Sequence, residues 1–226
     1  MVKTTLKTLP YFDNVGTILV TFLLEPVFQI LFLTLLSGGN FSTNSVTGMI
    51  MLGAASMTVV TVSSLFVTDQ DLGIDVIALK ESSGQIKYWI TKIIVGILMS
   101  LLSNLPILLV FQLFFSKFSV VTYGQLIIVM LVSGIVGFTS AVVSWTRNNP
   151  YFLTNLVLGS LTVLSGALIS INHYPFWLKS LTYLLPYNQV FNQIVFGQSV
   201  LWIAILQILL WLIIGLVFYQ YRKSRL

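Results

Sequence analysis

Long runs of Leu, Ile, Val and Phe dominate the chain, broken at irregular points by Gly, Ser and Thr, and period-two alternation is absent. Apolar runs without alternation favour helices over barrel strands. A bilayer core about 30 Å thick needs roughly 20 such residues in a helix. Six stretches meet that length, at 15–37, 46–68, 88–115, 120–146, 151–171 and 199–221. The pattern predicts an all-α polytopic membrane protein with six transmembrane helices. It forms one transmembrane domain over 1–226, with no nucleotide-binding domain.

Composition agrees with the pattern. Of 226 residues, 57% are apolar and only 8% are charged, against roughly a quarter charged in an ordinary soluble domain. That is too little charge to cover a water-soluble fold of this size, so a soluble enzyme is excluded. With no Cys and one His (His173), a protein-ligated zinc site, an iron–sulfur cluster and a disulfide framework are excluded too. The dipeptide Gly-Lys does not occur, so there is no P-loop for ATP phosphates.

The net charge of +5 reads as topology and not as affinity for nucleic acid. With a cytoplasmic N-terminus, nine basic residues fall on the inner side (Lys3, Lys7, Lys80, Lys87, Lys92, Arg147, Arg222, Lys223 and Arg225). Two, Lys117 and Lys179, fall outside. This positive-inside bias places both termini in the cytoplasm of a cell, and so the chain in the plasma membrane. The first apolar run is too long for a signal-peptide core and lacks an Ala-x-Ala site, which argues against cleavage.

Three segments outside the spans carry information. Residues 1–12 place Val2, Leu6 and Leu9 on one helical face and Lys3 and Lys7 on the other, the pattern of an interfacial helix. The inner segment 69–87 holds four of the six carboxylates, with Leu72, Val76 and Leu79 in helical register. Interfacial helices normally carry Lys and Arg toward anionic lipid. An acidic one reads instead as a docking element for a protein partner. The outer segment 172–198 is aromatic, almost uncharged and divided by Pro175 and Pro186 into two short helices, with Trp177 on the first. It reads as a shallow re-entrant dip or an aromatic belt.

Polar positions inside the spans are few. Glu25, followed by Pro26, is either a charge at a helix start or a buried carboxylate able to bind a cation or proton. Asn104 and Asn155 either line a polar path or satisfy neighbouring backbone groups. In the fourth span Ser133, Gly137 and Ala141 share a face, and in the fifth Thr162, Gly166 and Ser170 do the same; such faces allow close helix packing.

Taken together, these features resemble the type-2 ABC-exporter permease family, whose membrane subunits pair with separate ATPase chains. The clearest matches are Leu164-Ser165-Gly166-Ala167-Leu168, then Tyr174-Pro175-Phe176-Trp177-Leu178, then Tyr183-Leu184-Leu185-Pro186; a further match is Asp71-Leu72-Gly73. The chain departs from the family at Ile74, where Thr is usual, and at Ser82 and Ser83, near the usual Pro.

The resemblance implies a cytosolic coupling helix over 69–83 seated in a P-loop ATPase, with Asp71, Leu72, Gly73, Ile74, Asp75 and Leu79 as docking residues. It implies ATP and Mg on that partner and no cofactor, metal or catalytic residue on this chain. A second permease copy, identical or different, would pair through the first, second and fifth spans. Glu25, Phe28, Phe32, Met57 and Asn155 are the candidates for the translocation path of a drug, antimicrobial peptide or lipid. The alternative from another class is an ion- or proton-coupled secondary transporter, which needs charges near the midplane, where Glu25 is the candidate.

Overall fold

A computed structural model describes residues 14–24, 27–28, 31, 35, 43–80, 85–115, 120–145, 148–167, 171–197 and 201–224. Among them every regular element is helical. Segment 1–12, Glu25 and Phe32 lie outside the described residues.

Four helices are long and apolar enough to cross a membrane. They are α2 (Thr43–Asp71), α4 (Gln85–Phe115), α5 (Val120–Ser144) and α9 (Leu201–Lys223). Two shorter apolar helices accompany them. In the first, α1, the turn Val15–Leu19 runs into a π-helical turn, Val20–Leu24. Asn14 caps α1, its side chain accepting the Thr17 N–H at 2.8 Å, which satisfies one of the free donors at the helix start.

The second, α6 (Phe152–Leu164), has 13 residues and so is only about 20 Å long. This differs from the expected span 151–171. Ser165 caps the helix, its hydroxyl accepting the Ala167 N–H, and Gly166 takes φ 75°. The helical face expected from Thr162, Gly166 and Ser170 is therefore broken at Gly166.

The core forms around α2, whose Val59 and Val62 are fully buried. Helix α5 lies on it through the expected small face. A Cβ on Gly137 would fall 3.0 Å from the Val59 carbonyl oxygen, and Ser63 donates to the Gly137 carbonyl at 3.1 Å. Close backbone approach of this kind is what small residues permit in membrane bundles. Asn104 donates to the Ser100 carbonyl at 2.8 Å within α4 and is buried, so its polarity serves its own helix.

The aromatic segment forms two short helices, as expected. Pro175 precedes α7 (Phe176–Thr182), Pro186 precedes α8 (Tyr187–Phe196), and Gly197 closes α8 at φ 67°. The intervening turn, 183–186, does not lie at the end of the bundle. Trp211, the eleventh of 23 residues in α9, donates its indole N–H to the Leu184 carbonyl at 2.9 Å. Tyr187 donates to Ser133, the fourteenth of 25 residues in α5, at 3.0 Å. The turn therefore sits half-way down two long helices, and α8 climbs back from it.

Candidate functional site

Apart from Lys179 of α7, the charged side chains of the described helices gather at one end of the bundle, where α2 ends, α4 begins and α9 ends. Helix α2 does not stop at residue 68, as expected, but continues through Asp71. The chain then breaks at Leu72 and Gly73, and α3 (Ile74–Lys80) begins. Gly73 has φ 69°, a left-handed conformation that an L side chain resists, so the break is written into the sequence at that glycine.

The break divides the carboxylates. Asp69, on the inward face of α2, forms an ion pair with Lys92 of α4 at 2.7 Å and accepts the Tyr88 hydroxyl at 2.8 Å. Lys92 also donates to the Leu65 carbonyl at 2.7 Å and lies 4.9 Å from the Tyr88 ring centre and 5.2 Å from that of Phe66. Such a set of carbonyl, carboxylate and two ring faces is what makes a buried ammonium tolerable.

Asp75 pairs with Arg222, in the last turn of α9, and the residue is 1% exposed. The guanidinium lies 3.9 Å from the Trp145 ring centre. Burial pushes the Asp75 carboxyl above its ordinary value, an effect larger than the opposing pull of Arg222. Around the pair, Trp89, Trp145 and Tyr219 form an aromatic wall: Trp89 meets Tyr219 edge-on at 4.5 Å and Trp145 stacks on it at 5.8 Å.

Among the described residues the outward side of the foot is largely apolar. Leu72, Ile74 and Ile77 are exposed, at 61%, 40% and 67%, beside exposed Asp71 and Gly73. Asp71, Leu72, Gly73, Ile74 and Asp75 thus come together on one short foot, but Asp75 is turned inward. Leu79 belongs to α3, and its side chain lies outside the described residues.

The remaining candidates are dispersed. Phe28 is exposed, Met57 is half-buried on α2, and Asn155 is exposed on α6; among the described residues no hydrogen bond or ring contact joins them. Pro175, Trp177 and Pro186 share the aromatic segment 171–197, where Trp177 is exposed and Pro186 buried.

Sequence reasoning missed the two buried pairs. Lys92, counted only as one of the inner-side basic residues, is the eighth residue of α4 and 2% exposed. The signal was present: Lys92 follows Tyr88 by one helical turn and precedes an uninterrupted apolar run. Among the described residues no group of three or more His, Asp or Glu is placed to hold a metal ion. In comparisons with family models, curated proteins and solved structures, no match to the chain was found.

Proposed function

We propose that the chain is the six-span membrane subunit of an ATP-driven exporter of the type-2 ABC kind, with both termini cytoplasmic. A separate P-loop ATPase pair docks at the α3 foot, and a second permease completes the path for a lipophilic drug, peptide or lipid. The observation that carries this reading is the foot itself. A short helix is set off by a left-handed glycine, held from within by Asp75, and presents Leu72, Ile74 and Ile77 outward. A chain without a P-loop has use for such a handle if its energy arrives from another chain.

The placement of charge favours this over an ion- or proton-coupled transporter. Asp69, Lys92, Asp75 and Arg222 gather at one end of the bundle, and residues 43–68, 93–115, 120–144 and 201–221 contain no Asp, Glu, Lys or Arg, which leaves Glu25 of the first span, outside the described residues, as the one candidate for such a role. A coupling ion needs charged partners near the midplane. Exposed Asn155 and half-buried Met57 fit the lining of a path completed by a second copy, since a polar amide facing hydrocarbon is costly.

Purification in mild detergent tests the reading. The expected result is co-elution with a P-loop ATPase in equal number. Leu72→Asp with Ile77→Asp should abolish this while leaving the permease folded. Unimpaired transport by that double variant, or transport that survives ATP depletion and collapses with the proton gradient, overturns the proposal.

A further inference from the structure

Helix α9 is unlike the other long helices in how it is held. Only 22% of its span is buried, against 72% for α2 and for α5. Its polar attachments concentrate at two levels. At the charged end Arg222 pairs with Asp75 of the foot. Half-way along, Trp211 donates to the Leu184 carbonyl at 2.9 Å and Gln207 donates to the Tyr183 carbonyl at 3.0 Å. At that same level Thr139 of α5 donates to the Trp211 carbonyl at 2.9 Å.

We propose that α9 is a strut joining the foot to the re-entrant turn, and that Arg222 is the positioning residue that fixes its lower end. An α-helix is stiff along its axis, and the two attachments are about 16–22 Å apart at 1.5 Å per residue. A displacement of α3 passes through the Asp75–Arg222 pair into α9 and arrives at the turn that opens α8. One face of α9 is packed on α5, where Thr139 bonds Trp211 and Tyr219 is buried, and the rest is laterally exposed, so its motion is a tilt about that face. A functional role for that movement rests on the exporter reading, in which α3 is driven by the ATPase; the mechanical link does not.

The chain has no Cys and needs no partner for the test. Hydrogen exchange is followed on the full chain alone in lipid nanodiscs. The reporters are the amides of Tyr183, Leu184 and Leu185, which bond to Ser180, Leu181 and Thr182. Arg222→Ala should accelerate their exchange by about tenfold or more, the scale of a lost sub-global constraint. Amides in the middle of α2 should be unchanged. Arg222→Lys, which keeps a cation for Asp75, should stay near wild type, and the exchange of charges Asp75→Arg with Arg222→Asp should recover most of the protection.

Acceleration confined to 72–80, with the turn unaffected, overturns the strut. If Arg222→Ala fails to fold, the reciprocal variant Gln207→Leu decides. The strut then requires faster exchange in α3, and unchanged exchange there contradicts it. Absence of an ATPase from purified material would remove the exporter reading while leaving these outcomes intact.

Discussion

The charged end and the turn 183–186 solve the same problem, tying helices together away from water, with different chemistry. At the charged end the ties are ion pairs, Asp69 with Lys92 and Asp75 with Arg222, set among Phe66, Tyr88, Trp89, Trp145 and Tyr219. At the turn they are neutral, from Gln207, Trp211 and Tyr187 to carbonyls and one hydroxyl. A buried ion pair is unforgiving, because removing one partner leaves an unpaired charge. A neutral hydrogen bond is worth far less and can be remade with a new acceptor. The molecule thus places discrete, hard-to-break links at the charged end and replaceable ones at the turn 183–186.

The largest effect that separates the two regions is expected from Lys92→Met. It leaves Asp69 charged and buried, and should cost about 3–5 kcal/mol in unfolding measurements. The companion Asp69→Leu with Lys92→Met should recover most of that loss. Equal damage from the single and double variants would deny the pair its role.

Next in size is Gly73→Ala. Its φ of 69° imposes about 1–2 kcal/mol on any L side chain, and the strain should appear as faster exchange in α3. Tyr187→Phe, the matching probe at the turn, removes one neutral bond. Ser133 still donates to the Val129 carbonyl at 2.7 Å, so the expected loss is about 0.5–1.5 kcal/mol. A loss as large as that of Lys92→Met would erase the contrast between the regions.

The smallest effect concerns Asp75. Its carboxyl is raised above the ordinary 3.8 by burial, so across the interval between 3.8 and its folded value the folded chain binds more protons than the unfolded one. In that interval stability falls as pH rises. Asp75→Asn removes this titration and leaves Arg222 without its counter-charge, so the comparison rests on the slope with pH and not on absolute stability. The wild type, compared with that variant, should gain stability as pH falls toward 4. The opposite slope would mean that Arg222 outweighs desolvation. The expected sign also says why the pair is present: it fixes geometry at some cost to stability.

Much of the fold was legible in the sequence, and for identifiable reasons. Long apolar runs gave the four long helices to within a few residues, since burial in hydrocarbon leaves length as the main variable. Pro175 and Pro186 marked the starts of the two short helices because each ends one segment and presets the next. The place of the foot was legible in the register of Leu72, Val76 and Leu79, but the expected single helix over 69–83 is not: 69–71 end α2, the chain turns at Leu72 and Gly73, and α3 runs Ile74–Lys80. What escaped was orientation in depth. Asp69, Asp75 and Lys92 looked like surface charges because hydropathy counts a charge without its partner. The partners lie 23 and 147 positions away (92 minus 69, 222 minus 75). Likewise, nothing local reveals that 183–186 reaches the middle of α5 and α9; that follows from the Tyr187 and Trp211 bonds.

The most direct test of the account uses a single cysteine at Ile77, on the exposed face of α3, in a chain that has no other. A membrane-impermeant thiol reagent should modify it in inverted vesicles and fail to do so in intact cells. Assembly with the ATPase should then protect it. Modification from outside intact cells, or equal modification with and without the ATPase bound, would contradict the account.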